Sequence, residues 1–166
     1  MTRFLQRFKL WQRMGLLGVL GVLLVGPPLY LYVNGADKSI ALSRLEQKGL
    51  EPGVKTLKAL QLVQSHRGLS TAFLTSGQMV DQLGESTRLG SLAMDALAQS
   101  LQGVNPEEAG LLQKIRTEWD DLSKAVSQRG VTLGDSFQRH SQLCLNLLLL
   151  SEKIADRYHL SLDADP

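Results

Sequence analysis

The chain contains one cysteine, Cys144, in 166 residues, which excludes an intrachain disulfide and every Cys-x-x-Cys redox or zinc arrangement. Within a helix such a residue is a small apolar filler. A bridge between two chains is its other use, open only in an oxidising compartment. Proline is scarce at 5 residues and aromatics make up 5%, while 43% of the chain is hydrophobic and 20% charged. That composition belongs to a folded protein, neither collagen-like nor low in complexity. Catalytic signatures are missing too: there is no nucleophile elbow, no phosphate-cradling glycine loop and no His-Glu-x-x-His. His66, His140 and His159 do not fall at metal-ligand spacing. Asp120 and Asp121, on consecutive helix positions, read as a solvated face, and Asp163 and Asp165 at the chain end are a weak candidate for a metal. The expectation is no enzyme, no cofactor and no metal site. A concentrated basic face is also lacking. Four of the 18 basic residues (Arg3, Arg7, Lys9 and Arg13) precede the first acidic residue, Asp37, so the rest of the chain sets 14 bases against 16 acids. Nucleic-acid binding needs clustered positive charge, and none is expected here.

What the sequence does have is one long apolar run. No charged side chain occurs between Arg13 and Asp37, and Met14 to Val33 supplies the ~20 apolar residues that span a bilayer core as a helix. Trp11 at one end, and Tyr30 and Tyr32 at the other, stand where interfacial aromatics stand. The four bases before the run have no counterpart just after it, which places the N-terminus in the cytoplasm and residues 37–166 outside. A cleaved signal peptide is the competing reading, with Val33-Asn34-Gly35 as a poor cleavage site, but the apolar run is long for one. The expected organisation is a cytoplasmic basic segment (1–13), a membrane helix (14–36) and an extracytoplasmic part (37–166) of a bacterial inner-membrane protein.

That remainder reads as all helix, with no strand-like alternation. Lys38 to Leu50 is predicted to extend the anchor until Glu51-Pro52-Gly53 interrupts it, since proline lacks the backbone donor and disfavours helix just before it. Further helices are predicted from Val54 to Leu74, from Met79 to Leu101, from an Asn105 cap with Pro106 in the first turn, and from Gly134-Asp135 to Tyr158. Apolar or small residues recur in three-four steps: Leu83, Thr87, Gly90, Met94, Leu97 and Leu101; then Leu112, Ile115, Trp119, Leu122 and Val126. Phe137, Leu143, Leu147, Leu150 and Ile154 are expected to face inward on the last helix. Short linkers between such stripes predict an up-down antiparallel bundle. Leu143 to Leu150 is apolar on nearly every side and so predicts cover all round. Either that segment is central in the bundle, or Leu143, Leu145, Leu148 and Leu149 form a contact with a second copy or another membrane protein.

The most unusual chemistry lies at Gln64-Ser65-His66-Arg67-Gly68. With apolar residues on several faces of that helix, His66 or Arg67 is expected near a helix–helix seam, where a cation needs a partner. The partner is either a protein carboxylate or a small anion, for which the Arg67 fork suits bidentate binding. Arg44–Gly77 resembles the first periplasmic helices of bacterial transmembrane signal transducers, including chemoreceptors and membrane-bound diguanylate cyclases. It is also similar to nitrate- and nitrite-sensing all-helical domains. The matching residues are Glu46 and Gly49 of an E-x-x-G helix, and His66, Arg67 and Gly68 of an H-R-G motif. Lys153–Pro166, with Leu162-Asp163-Ala164-Asp165, is similar to the turn that ends a helix in those receptors. The resemblance implies a dimeric sensory input module, with Arg67 and His66 helping to bind a small anion or organic ligand. It also implies that the chain is the N-terminal part of a receptor continuing into a second membrane helix and an output domain.

Overall fold

A computed structural model describes residues 10–101 and 105–160. They form four helices, α1 (Leu10–Ser76), α2 (Val80–Ser100), α3 (Pro106–Ser127) and α4 (Leu133–Arg157), and no strand occurs among them. The residues before Leu10 and the Leu162-Asp163-Ala164-Asp165 turn, with its candidate metal carboxylates, lie outside the described residues. The chain divides into two compact units between Arg44 and Leu45, so bundle packing starts a few residues later than residue 37.

In the first unit α1 carries an apolar window of mean hydropathy 2.0, none of it buried within the chain. Leu, Val and Tyr side chains from Met14 to Val33 are about half to three-quarters exposed. A helix that is apolar all round and uncovered by its own chain is long and apolar enough to cross a membrane.

The second unit is the predicted bundle, with one correction. Glu51-Pro52-Gly53 does not end a helix: α1 runs through it to Ser76. Proline removes one backbone bond and crowds the carbonyl four residues back, a cost of about 3 kcal/mol. Here Pro52 is buried in the bundle, and its carbonyl also accepts from Thr56 Oγ1 at 2.8 Å. Packing on this stretch offsets the missing bond, and two expected helices become part of one.

The buried side of α1 is Gly49, Pro52, Thr56, Ala59, Val63, His66, Ser70 and Phe73. These are strict three-four steps, the seam of a helix packed at a shallow angle. The other stripes fall largely as expected. Leu83, Gly90, Met94 and Leu97 of α2 are buried, as are Leu112, Ile115, Trp119, Leu122 and Val126 of α3 and Leu143, Leu147, Leu150 and Ile154 of α4. Phe137, expected inward, is instead 55% exposed; the inward positions one and two turns before Leu143 belong to His140 and Ser136.

Direction follows from the side-chain pairs. Between α3 and α4, Glu107 pairs with Lys153 at 2.7 Å and Glu118 accepts from Asn146 at 3.2 Å. Between α2 and α3, Arg116 pairs with Asp95, and Trp119 Nε1 donates to Ser91 at 3.0 Å. Between α1 and α4, Gly49 meets Tyr158 while Arg67 meets Ser141. In each case the partner number falls as the first rises, so neighbours are antiparallel and the order is up-down-up-down. The helix starts supply local reasons. Asn105 accepts from the Glu107 backbone with Pro106 in the first turn of α3. Thr132 accepts from the Asp135 amide and donates to its carboxylate, capping α4.

Gly49 and Gly68, both in the matching motif, play unequal roles. A Cβ on Gly49 would sit 2.6 Å from Tyr158 Cγ and 3.0 Å from Leu160 Cδ1, whereas one on Gly68 meets nothing within 4 Å. Gly49→Ala is therefore expected to destabilise the protein by about 1–3 kcal/mol through overpacking. Gly68→Ala is expected to stabilise it by up to about 1 kcal/mol by stiffening an exposed helix position. Denaturant midpoints of the two variants check the pair.

Candidate functional site at the histidine layer

His66 is fully buried, and so is His140, which faces it from α4. His66 Nδ1 lies 2.8 Å from His140 Nε2. On the far sides, His66 Nε2 is 3.0 Å from Thr87 Oγ1 of α2, and His140 Nδ1 is 2.7 Å from the Ser136 carbonyl oxygen. A carbonyl only accepts, so the proton of His140 is on Nδ1 and its Nε2 is a lone pair. His66 must then donate from Nδ1, leaving its own Nε2 as an acceptor for the Thr87 hydroxyl. Ser70 Oγ, which donates to the His66 carbonyl at 2.7 Å, lies 3.2 Å from His66 Nδ1 and takes a share of that proton. With both rings neutral the polar atoms form one chain of bonds linking α1, α2 and α4.

The third wall is aromatic. The Trp119 indole meets the His66 ring edge-on at a centroid distance of 4.8 Å. Its Nε1 is held by Ser91, and Gly90 opens the space for its six-membered ring. Burial, assisted by the neighbouring His140, pulls the His66 pKa down to about 4. Burial also lowers His140, helped by the positive charges of Arg67 and Arg139 and opposed by the Ser136 carbonyl. No carboxylate bonds to either ring among the described residues, so both rings are held neutral by lack of solvent and lack of a counter-ion.

Arg67 occupies the next position, half-buried at the α1/α4 seam. Its Nη1 donates to Ser141 Oγ at 3.3 Å, and the guanidinium lies 4.8 Å over the Phe137 ring. Phe137, off the inward stripe by helix register, is thus covered on one face by Arg67. No ion pair to Arg67 occurs among the described residues, whereas Arg88, Arg116, Lys153 and Arg157 all have carboxylate partners. Of the two expectations for a cation at the seam, a protein carboxylate is absent among the described residues.

The other singled-out residues are not gathered here. Glu46 is half-buried about 20 positions before His66, roughly 30 Å along a helix. Leu143 is 1% exposed, part of the chain's own core and thus no docking residue. Leu145, Leu148 and Leu149 are 59%, 49% and 44% exposed. The apolar run is therefore covered by its own bundle on one side only, not all round. A cleft of about 180 Å³ lies between α3 and α4 and one of about 510 Å³ lies where the linker at Gly130–Thr132 meets α4; both have Arg139 and Gln142 in their walls, and neither includes His66 or Arg67.

Sequence reasoning misses His140, Ser136 and Ser70 as members of the layer. A signal for two of them is present: extending the α4 stripe backwards from Leu143 in three-four steps lands on His140 and Ser136. Thr87 falls on the inward stripe of α2, but as a small residue and not as a hydrogen-bond partner. Histidine spacing along the chain, being tuned to metal motifs, says nothing about two rings 74 positions apart.

No protein-family model matches the chain, and no curated protein or solved structure is significantly similar to it.

Proposed function

We infer that this protein is a membrane-anchored sensory input module, detecting a small anion at Arg67 and passing a change in helix packing to the membrane helix. The observation that carries the reading is the state of Arg67. Its guanidinium is half-buried, steered by Phe137 and Ser141, and unpaired by any carboxylate among the described residues. It lies beside a neutral polar layer that ties three helices. A planar cation so placed suits a nitrate, nitrite or small carboxylate as bidentate partner. In this reading the N-terminus is cytoplasmic, α1 crosses the inner membrane, and the bundle lies in the periplasm. Binding at the α1/α4 seam biases the packing only by its different affinity for the two arrangements.

Titration of the full chain in detergent with nitrate, nitrite and acetate, read by thermal melting, tests the site. A bound anion at 100 times its Kd stabilises by about 2.7 kcal/mol, and Arg67→Ala is expected to abolish the rise in Tm. Stabilisation that survives Arg67→Ala, or no stabilisation by any small anion, overturns the anion site.

The exposed Leu145, Leu148 and Leu149 favour a second reading, a scaffold whose bundle docks a partner membrane protein or a second copy. The genomic surroundings separate the two: an output domain encoded downstream supports the sensor, and an envelope-assembly operon supports the scaffold.

A further inference from the structure

We propose that the His66–His140 pair is a proton-operated latch, which closes the α1–α4 seam while both rings are neutral and releases it when the layer takes up protons. The order of events follows from the bonding. The first proton enters at His66 Nε2, the one ring nitrogen in the chain of bonds that accepts from a hydroxyl. Thr87 then gives up its role as donor to His66 and accepts from Nε2–H. Its own hydroxyl proton has a ready acceptor in the Leu83 carbonyl, 3.0 Å away. This step breaks no covalent bond except O–H to N–H exchange with solvent protons, and it leaves every ring nitrogen partnered. A second proton has only His140 Nε2 to occupy. There it meets the His66 Nδ1–H across 2.8 Å, donor against donor, and the tie between α1 and α4 is lost.

Among the described residues, nothing packed on the layer compensates a positive charge. From α1 the neighbouring charge is Arg67 and from α4 it is Arg139, both cationic. From α2 comes the neutral Thr87, while Glu85 and Arg88 of that helix are exposed and paired with each other at 2.6 Å. From α3 comes Trp119, while Glu118 accepts from Asn146. Protonation therefore works against burial and against two cations at once.

The direction of the pH effect follows. Unfolded, His66 takes a proton at the ordinary 6.5; folded, it resists to about 4. Between those values the unfolded or opened state binds more protons, so the latch is fully closed above pH 6.5 and weakens as pH falls toward 4. The shift corresponds to a rise of up to about 300-fold in the opening equilibrium from His66 alone. The latch is a property of the bundle. Only its use as a sensor of external acidity rests on the periplasmic placement proposed above.

The experiment uses the full chain in detergent micelles. The chain has 3 histidines and 2 tryptophans, so a His159→Ala, Trp11→Phe background leaves the two latch imidazoles and Trp119 as the reporters. Imidazole nitrogen shifts and Trp119 fluorescence are followed from pH 8 to pH 4. The expected result is two neutral rings at pH 7, then a reversible loss of Trp119 packing below pH 6.5. In His66→Gln/His140→Gln that loss disappears while helicity is kept. Should the double variant fail to fold, Thr87→Val gives the second reading: without an acceptor for the new N–H, the transition moves to lower pH. Two rings that titrate near 6.5 with Trp119 undisturbed, or a Trp119 transition that Thr87→Val leaves in place, overturn the latch. Neither outcome touches the anion titration, which is run at pH 7.5.

Discussion

His140→Ala is expected to cost about 4 kcal/mol of folding stability. The ring is fully buried against His66, and removing it leaves a cavity of the kind that costs about 2–5 kcal/mol for large-to-small changes. It also takes from the His66 Nδ1–H its shortest partner and leaves only the 3.2 Å contact with Ser70, and a poorly satisfied buried group costs up to about 1–3 kcal/mol. The more telling variant is the double one. His66→Leu/His140→Leu removes both ends of the bond and fills the space, so no donor or acceptor between the rings is left unmatched. It is expected to be more stable than the sum of the two single leucine variants implies, with a coupling of about 2 kcal/mol. Urea denaturation of the four proteins measures this directly. Simple additivity would mean that the 2.8 Å pair contributes nothing as a pair.

The second large effect is at Gly90. A Cβ there would collide with the Trp119 ring, 2.7 Å from Cη2 and 3.0 Å from Cε2, with Cζ2 closer still. Trp119 has little room to retreat, because Nε1 is bonded to Ser91 and the ring edge rests on His66. Gly90→Ala is expected to lose about 1–3 kcal/mol, and Gly90→Leu more than that, with near-ultraviolet dichroism of the indole flattened. Gly84, on the same helix, is the control, since a Cβ added there meets nothing within 4 Å. There alanine is expected to gain up to about 1 kcal/mol, because glycine in a helix interior is the poorer residue. If Gly90→Ala proves as harmless as Gly84→Ala, the indole is not held where the packing puts it.

Much of this architecture can be read from the chain. The steps through Leu112, Ile115, Trp119, Leu122 and Val126 are buried as their period demands, and Asn105-Pro106 begins a helix because local capping decides that point. Two things escape such reading. Pro52 is a helix breaker by local chemistry, yet burial against distant residues keeps it helical, and no local rule contains that burial. The partner of His66 sits 74 positions away, a tertiary fact that periodicity hints at through Ser136 and His140 without stating it. Arg67 lies at a seam, as its flanking apolar residues predict, while Phe137, expected in the core, falls off the Ser136–His140–Leu143 stripe and lies outside under the Arg67 guanidinium.

The inner stripe of α1 between Gly49 and Ser70 holds, besides His66, only glycine, proline, threonine, alanine, valine and serine. Its counterparts on α3 and α4 hold leucine, isoleucine and tryptophan. At roughly 25 cal/mol per Å² of apolar surface removed from water, these small fully buried side chains each contribute less than a leucine, isoleucine or tryptophan on α3 or α4. The bonds of His66 to α2 and α4 therefore carry a larger share of the hold on α1, and such bonds switch on or off where oily contact merely deforms. Along that stretch of α1 the loss of those two bonds removes more of the hold than it would from a helix lined with leucine.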